Sequence, residues 1–231
     1  MLSLESLTQL AQKHAEALPA QVAEFEIRGH RFHSASRPHL MGVINLSPDS
    51  WYRESVILNT DAALVRARRL RAEGADLVDL GAESSLHHAA RVDPAQQIAT
   101  LLPILKPLAQ EGSLISIETY QPVVARRCLE AGAAVLNLTG TRPHDDLYKA
   151  VADHKAGIIL CYVQGEHVRA VGDFVHSPDH ATALLDYFRR EIDRAVHAGV
   201  HAIWIDPGLG FYYKNLQDST ARIRYQAETF L

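Results

Sequence analysis

The sequence predicts an α/β fold in which β-α units repeat around a parallel sheet. Three observations predict it. Short runs rich in Val, Ile and Leu alternate with longer amphipathic stretches, the pattern of strands buried on both faces and of helices that cover them. The amphipathic stretches start and stop on capping residues. Nearly every apolar run ends on a polar side chain.

The elements follow in order. Residues 3 to 18 read as a helix, and residues 23 to 33 alternate around Arg28-Gly29 like a small hairpin that plugs or flanks the sheet. Six strands come next, at His39 to Leu46, Asp76 to Gly81, Leu114 to Glu118, Ala134 to Thr139, Gly157 to Val163 and His201 to Asp206. Asp93-Pro94, Gln121-Pro122 and Ser177-Pro178 set proline at a first helical position, where its missing N–H is harmless. Glu73-Gly74, Ala131-Gly132 and Gly199 end helices before the next strand. Ala181, Leu184, Leu185, Phe188, Ile192 and Ala195 recur at three- and four-residue steps and form one apolar stripe. A last helix is expected over Asn215 to Leu231. The expected organisation is an N-terminal helix and hairpin over 1–38 and one β/α domain over 39–231.

Composition narrows the function. The 231 residues are 47% hydrophobic and 22% charged, and a chain of this size buries roughly 70% of its unfolded surface, enough for a core without disulfides. The net charge of −4 is scattered, which argues against a phosphate-backbone binder. Cys128 and Cys161 sit in apolar runs far from CxxC spacing, as expected in a reducing cytoplasm. The first twenty residues carry Glu5, Lys13 and Glu16, unlike a signal peptide or membrane span. The 13 histidines form no HxH or HExxH, and Arg66 to Arg71, Arg126 and Arg127 read as solvated helix faces.

The chemistry is expected where the strands end. Asn45, Asp79 and Glu83, Glu118, Asn137, Gln164 and Asp206 close or follow successive runs. In a β/α barrel the carboxyl ends of the strands meet at one mouth, so these groups would share a pocket suited to a ligand rich in N–H donors. Asx residues also serve turns, and Asp79 reads as the most purely structural of the set. No GxxxxGK[ST] is present, and the glycines of Asp206-Pro207-Gly208-Leu209-Gly210-Phe211 suit a tight strand-to-helix loop. None of the five lysines falls on a strand, which argues against a Schiff-base aldolase.

Five segments in order resemble the dihydropteroate synthase family, the pterin-binding barrels of folate biosynthesis. They are Met41-Gly42-Val43-Ile44-Asn45-Leu46-Ser47-Pro48-Asp49-Ser50-Trp51, residues 74 to 85 ending Gly81-Ala82-Glu83-Ser84-Ser85, Ile115-Ser116-Ile117-Glu118-Thr119-Tyr120, Val135-Leu136-Asn137, and Asp206 to Phe211. The resemblance implies a TIM-type (β/α)8 barrel of which this chain supplies the N-terminal extension and about six β-α units. It implies a transferase that joins p-aminobenzoate to 6-hydroxymethyl-dihydropterin pyrophosphate with loss of pyrophosphate. By position, it puts the pterin among Glu118, Asn137 and Asp206, with Gly210 and Phe211 also on the substrate. Mg²⁺ and pyrophosphate fall near Asn45, and the aminobenzoate near Ser84 and Ser85. Asn45 and Asp206 become the catalytic pair, and a homodimer is expected.

Departures from the family pattern leave alternatives open. Glu118 stands for an aspartate, Leu86 for an arginine, Leu138 for a frequent aspartate, Tyr52-Arg53-Glu54-Ser55 for SDGG, and Tyr212-Tyr213 for Gly-Lys. A pterin-binding paralogue without synthase activity fits these changes, and a pterin-dependent methyltransferase on the same barrel is a third reading. Six strands do not close an eight-stranded barrel, so the chain is expected either to be part of a longer one or to have its edge covered by a partner subunit.

Overall fold

The computed structural model describes residues 4–13, 15, 19–34, 36–49, 53–57, 59–86, 89–141, 145–175, 180–211 and 213. Helix α1 spans Leu4–Lys13, and strands β1 (Phe25–Ile27) and β2 (His30–Phe32) form an antiparallel hairpin. Arg28 and Gly29 both have positive φ, 50° and 81°, the backbone that a two-residue hairpin turn of matching twist requires. Strands β3 (Met41–Asn45), β4 (Leu77–Gly81), β5 (Ile115–Thr119), β6 (Val135–Leu138), β7 (Gly157–Cys161) and β8 (Ile203–Asp206) then build one parallel sheet in sequence order. Helices α2 (Thr60–Ala72), α3 (Pro94–Gln110), α4 (Pro122–Glu130), α5 (Asp145–Asp153) and α6 (His180–His197) lie between them.

The alternation of side chains along each strand divides this sheet into two chemical faces. Ile44, Leu80, Ile117, Leu136, Ile158 and Leu160 pack with Ala63 and Ala67 of α2, Leu101, Ile104, Leu105 and Leu108 of α3 and Val124 and Cys128 of α4 in the main core. The other face is apolar only at the N-terminal ends of the strands. There Ile27 and Phe32 of the hairpin pack with Val135, Ile159, Ala202 and Trp204, and Phe25 and Phe32 meet the Trp204 ring edge-on at 4.6 and 5.1 Å. Arg28 ties the hairpin down by donating to Gly132 O and Ala133 O, both at 2.8 Å. The expected hairpin plug is therefore present, seated at the foot of the sheet.

The helix ends follow the capping chemistry read from the sequence. Asp93 accepts from Gln96 N at 3.0 Å ahead of Pro94; α4 starts at Pro122, though the Gln121 side chain makes no capping bond. Gly74, Gly132 and Gly199 take φ of 108°, 103° and 93° just past helix ends, a backbone conformation that only glycine adopts without strain. Five of the six strands are shorter than expected, β8 by two residues at its start, and β5 is shifted by one residue. One residue of the α6 stripe is corrected: Leu185 is exposed, whereas Glu191 is buried. The inward place suits Glu191 because Tyr148 Oη donates to it at 2.9 Å and Arg194 at 3.1 Å. The Ser177-Pro178 start and the helix over 215–231 lie outside the described residues. Arg68, Arg69, Arg126 and Arg127 are largely solvated and paired with Glu111, Glu73, Asp146 and Glu130.

The fit of hairpin to sheet generates a prediction. A Cβ on Gly157 would lie 2.6 Å from Ile27 Cδ1 and 3.0 Å from Trp204 Cζ3. Overpacking of this kind typically destabilises by about 1–3 kcal/mol. Gly157→Ala should lower the urea midpoint accordingly, and Ile27→Ala in the same chain should recover part of the loss, as read by equilibrium unfolding.

Candidate active site

Strand register decides which side chains share the interior face. Asn45 pairs with Gly81, Gly81 with Glu118, and Glu118 with Asn137, while Cys161 pairs with Asp206. Paired residues on parallel strands point to the same face, so Asn45, Glu118 and Asn137 stand side by side, and Asp206 reaches the same mouth from β8. Two residues below Gly81, Asp79 faces inward as well, paired with Val43 and Ser116.

Asp79 thus stands inside its strand, and not in a turn, on the interior face. It is 2% exposed, and Asn137 Nδ2 donates to its Oδ2 at 3.3 Å. That bond turns Asn137 Oδ1 into a buried acceptor with no partner among the described residues, the group a ligand N–H would satisfy. Burial holds the Asp79 carboxyl above its usual range, against the pull of Ser116 and Asn137.

Asp206 is aimed by its own turn. Its Oδ1 accepts from Gly208 N at 2.8 Å, and its Oδ2 from the Cys161 thiol at 3.6 Å. Gly208 has a φ of 74°, and a Cβ there would collide with Tyr162 O. Burial and the Asp206 carboxylate push the Cys161 thiol well up, so it remains a neutral donor. The remaining lone pairs of Asp206 are open to a second donor set.

Glu118 has room because position 81 is glycine: its Oε2 lies 3.0 Å from where a Cβ of residue 81 would be, and Asn45 Oδ1 lies 3.4 Å from the same point. Burial, then the charges of Asp79, Asp206 and Glu83, push the Glu118 carboxyl up to about 8. At neutral pH it is largely protonated and able to donate a hydrogen bond.

Asn45 Nδ2 donates to Ser55 Oγ at 2.5 Å, which leaves its carbonyl oxygen as the hard donor on this side of the mouth. Among the described residues no three His, Cys, Asp or Glu side chains gather at metal-holding spacing. A single carboxamide oxygen nevertheless fits Mg²⁺, which retains waters and takes other ligands from substrate phosphates.

Ser84 and Ser85 line a small cavity with Glu83, Glu118, Tyr120 and Thr139. Ser84 is engaged in bracing: it donates to Asp49 O at 3.0 Å and accepts from Leu86 N at 3.2 Å. Gly210 is exposed, and Phe211 packs with Val163, Phe174 and Tyr213 in an apolar cluster. Glu83, one of the polar groups expected at the pocket, does line this cavity, whereas Tyr120 was not selected from the sequence as a ligand contact. Glu83 accepts from Val92 N at 3.1 Å, and the Tyr120 hydroxyl, raised to about 12 by burial and by bonding to Glu83, stays neutral.

A parallel β/α sheet whose strands end in a mouth of carboxyl and carboxamide groups has the layout of an active site at the carboxyl ends of β/α strands. The family described as pterin binding enzyme matches residues 41–228. Curated relatives include dihydropteroate synthase type-3 of Escherichia coli, 30% identical over 75% of this chain and 66% of its own length. Another is the dihydropteroate synthase of Streptococcus pyogenes serotype M18, 31% identical over 84% of this chain and 71% of its own. Among solved structures, dihydropteroate synthase of Burkholderia cenocepacia in complex with 7,8-dihydropteroate superposes with a TM-score of 0.73 at 30% identity, over 90% of this chain and 71% of that one. The enzyme of Xanthomonas albilineans with 4-aminobenzoic acid gives 0.67 at 28%, over 84% and 70%. The chain belongs to the dihydropteroate synthase family, and it spans about two thirds of the length of the relatives it matches.

The raised Glu118 carboxyl predicts a pH dependence. Between the ordinary 4.5 and about 8 the folded chain holds a proton that the unfolded chain releases, so stability falls as pH rises through this window. Glu118→Gln removes the titration. The urea midpoint of the wild type should therefore drop more between pH 5 and pH 8 than that of the variant; parallel drops would show that Glu118 titrates as an exposed acid.

Proposed function

We propose that this chain carries the dihydropteroate-forming transferase reaction of folate biosynthesis: p-aminobenzoate is joined to 6-hydroxymethyl-dihydropterin diphosphate, and diphosphate leaves. The carrying observation is the convergence of Asp206, Asn137 and Glu118 on one interior face, in a chain whose relatives are dihydropteroate synthases. A pterin edge offers adjacent N–H donors like a guanidine, and a carboxylate held open by its own turn, as Asp206 is, accepts them as a charge-assisted pair. Asn137 Oδ1, buried without a partner, accepts a further ring N–H, and protonated Glu118 donates to a ring acceptor. The chain's residues thus hold the ring flat and orient its methylene carbon toward the mouth.

The amine nitrogen attacks that carbon as its C–O bond to diphosphate breaks, and the new C–N bond sheds the amine proton to water. The nucleophile is neutral, so no strong base is required. Ser85, in the cavity beside Tyr120 and Thr139, lines the aminobenzoate side, and Ser84 sets its loop. Asn45 would hold Mg²⁺ together with diphosphate oxygens. When bound, the ion spreads the charge that builds on the leaving group.

The same reading carries a homodimer and a cytoplasmic setting, the latter supported by two free, buried cysteines. No helix among the described residues is long and apolar enough to cross a membrane.

Asp206→Asn tests the reading. A hydrogen bond to a charged group is worth about 1.5–3 kcal/mol, so pterin affinity by calorimetry should fall roughly ten- to a hundredfold and dihydropteroate formation should be lost. Unchanged pterin binding in the variant, or no pterin binding by the wild type, would sink it.

A further inference from the structure

The loop that follows β7 crosses the mouth of the sheet. Its near end lies on the residues after β6: Val168 N donates to Thr139 O at 3.1 Å, Thr141 N to Glu166 O at 2.9 Å, and the Thr141 hydroxyl to Gly165 O. The imidazole of His167 stacks on Tyr120, which follows β5, with ring centres 3.9 Å apart and planes 1° from parallel. The loop is pinched at its root, where Gly165 pairs with Val171 and a Cβ on Gly165 would collide with Ala170 O. Near its tip is Arg169.

Arg169 is inserted into the loop after β4, three strands away in the sheet. Its side chain is 2% exposed. Nη1 donates to Ser84 O at 2.6 Å and to Ala90 O at 3.4 Å, and Nη2 donates to Ala89 O at 2.6 Å. The Glu83 carboxylate, 6% exposed, lies 3.7 Å away and supplies the countercharge. A guanidinium spans two carbonyls with a fixed fork, which an ammonium cannot do. A charge this deeply buried is tolerated only when it is paired and hydrogen-bonded.

We infer that Arg169 is a positioning residue for the aminobenzoate side of the site. It reaches across the mouth to hold residues 83–86 and 89–92 in the shape that presents Ser84 and Ser85. This rests on the transferase reading above. Arg169 acts through the loop and not on substrate, because its Nη groups are turned to backbone carbonyls. Leu86, standing where the family pattern has an arginine, is buried within the same loop; Arg91 of that loop is exposed, and the buried guanidinium, that of Arg169, comes from across the mouth.

The test compares the full chain with its Arg169→Lys and Arg169→Gln variants by hydrogen exchange without ligand and by steady-state kinetics. Amides of residues 84–92 should exchange at least tenfold faster in both variants while β5, β6 and β7 keep their protection. The KM for p-aminobenzoate should rise severalfold with kcat changed less than twofold. Should Arg169→Gln fail to fold, the lysine variant, which retains the charge, decides. Wild-type exchange over 84–92 in a folded variant overturns the inference, as does a loss confined to kcat. A wild type without synthase turnover would sink the transferase reading alone, since the exchange measurement needs no substrate.

Discussion

Four carboxyl groups, Asp79, Glu83, Glu118 and Asp206, share one poorly hydrated mouth, and relieving their mutual repulsion organises everything around it. Each is relieved differently. Asp79 takes the Asn137 amide, and Glu83 takes Arg169 with the Val92 amide. Asp206 takes the Gly208 amide and the Cys161 thiol. Glu118 retains a proton. Like charges at this spacing cannot all ionise in a low-dielectric interior, so the cluster sits poised to accept a ligand that brings donors. A pterin edge does this without adding charge of the same sign.

The foot of the sheet is the counterpart of the mouth. Both ends are lined by the same alternating positions, yet Ile27, Phe32, Val135 and Trp204 at the foot form an apolar plug, while two residues further on the lining turns polar. A dry foot excludes water from beneath Asp79 and so contributes to the burial that raises its carboxyl. Hairpin and site are coupled in this way although the hairpin packs on the foot of the sheet and not on the site carboxyls. Gly157 is the price of the arrangement, because no side chain fits between β7 and Ile27.

Much of this was legible in the residues alone. The six strands, the hairpin turn at Arg28-Gly29 and the caps at Asp93, Gly132 and Gly199 all follow local rules of period and backbone conformation, and all are present. Asn45, Glu118, Asn137 and Asp206 were legible because each terminates an apolar run. Asp79 was obscured because it lies inside its run, where only register with Asn45 and Ser116 reveals its direction. Leu185 was misplaced because helical period cannot foresee that a buried Glu191, satisfied by Tyr148 and Arg194, takes the inward place. Arg169 was invisible for a different reason: its partners are backbone carbonyls some eighty residues earlier, and no local pattern encodes a contact of that kind.

Gly81 connects the two halves of the site. It stands between Asn45 and Glu118 in the register, and both side chains close over the space its missing Cβ leaves. The longer reach of Glu118, one methylene beyond aspartate, is accommodated in that space. A side chain at 81 would force the Glu118 carboxyl out of that space. It would also crowd the Asn45 oxygen, which is held by the Ser55 bond on its other side. The ring-binding and diphosphate ends of the proposed site therefore depend on one small residue between them, and the substitution at 118 is tolerable because that residue is glycine.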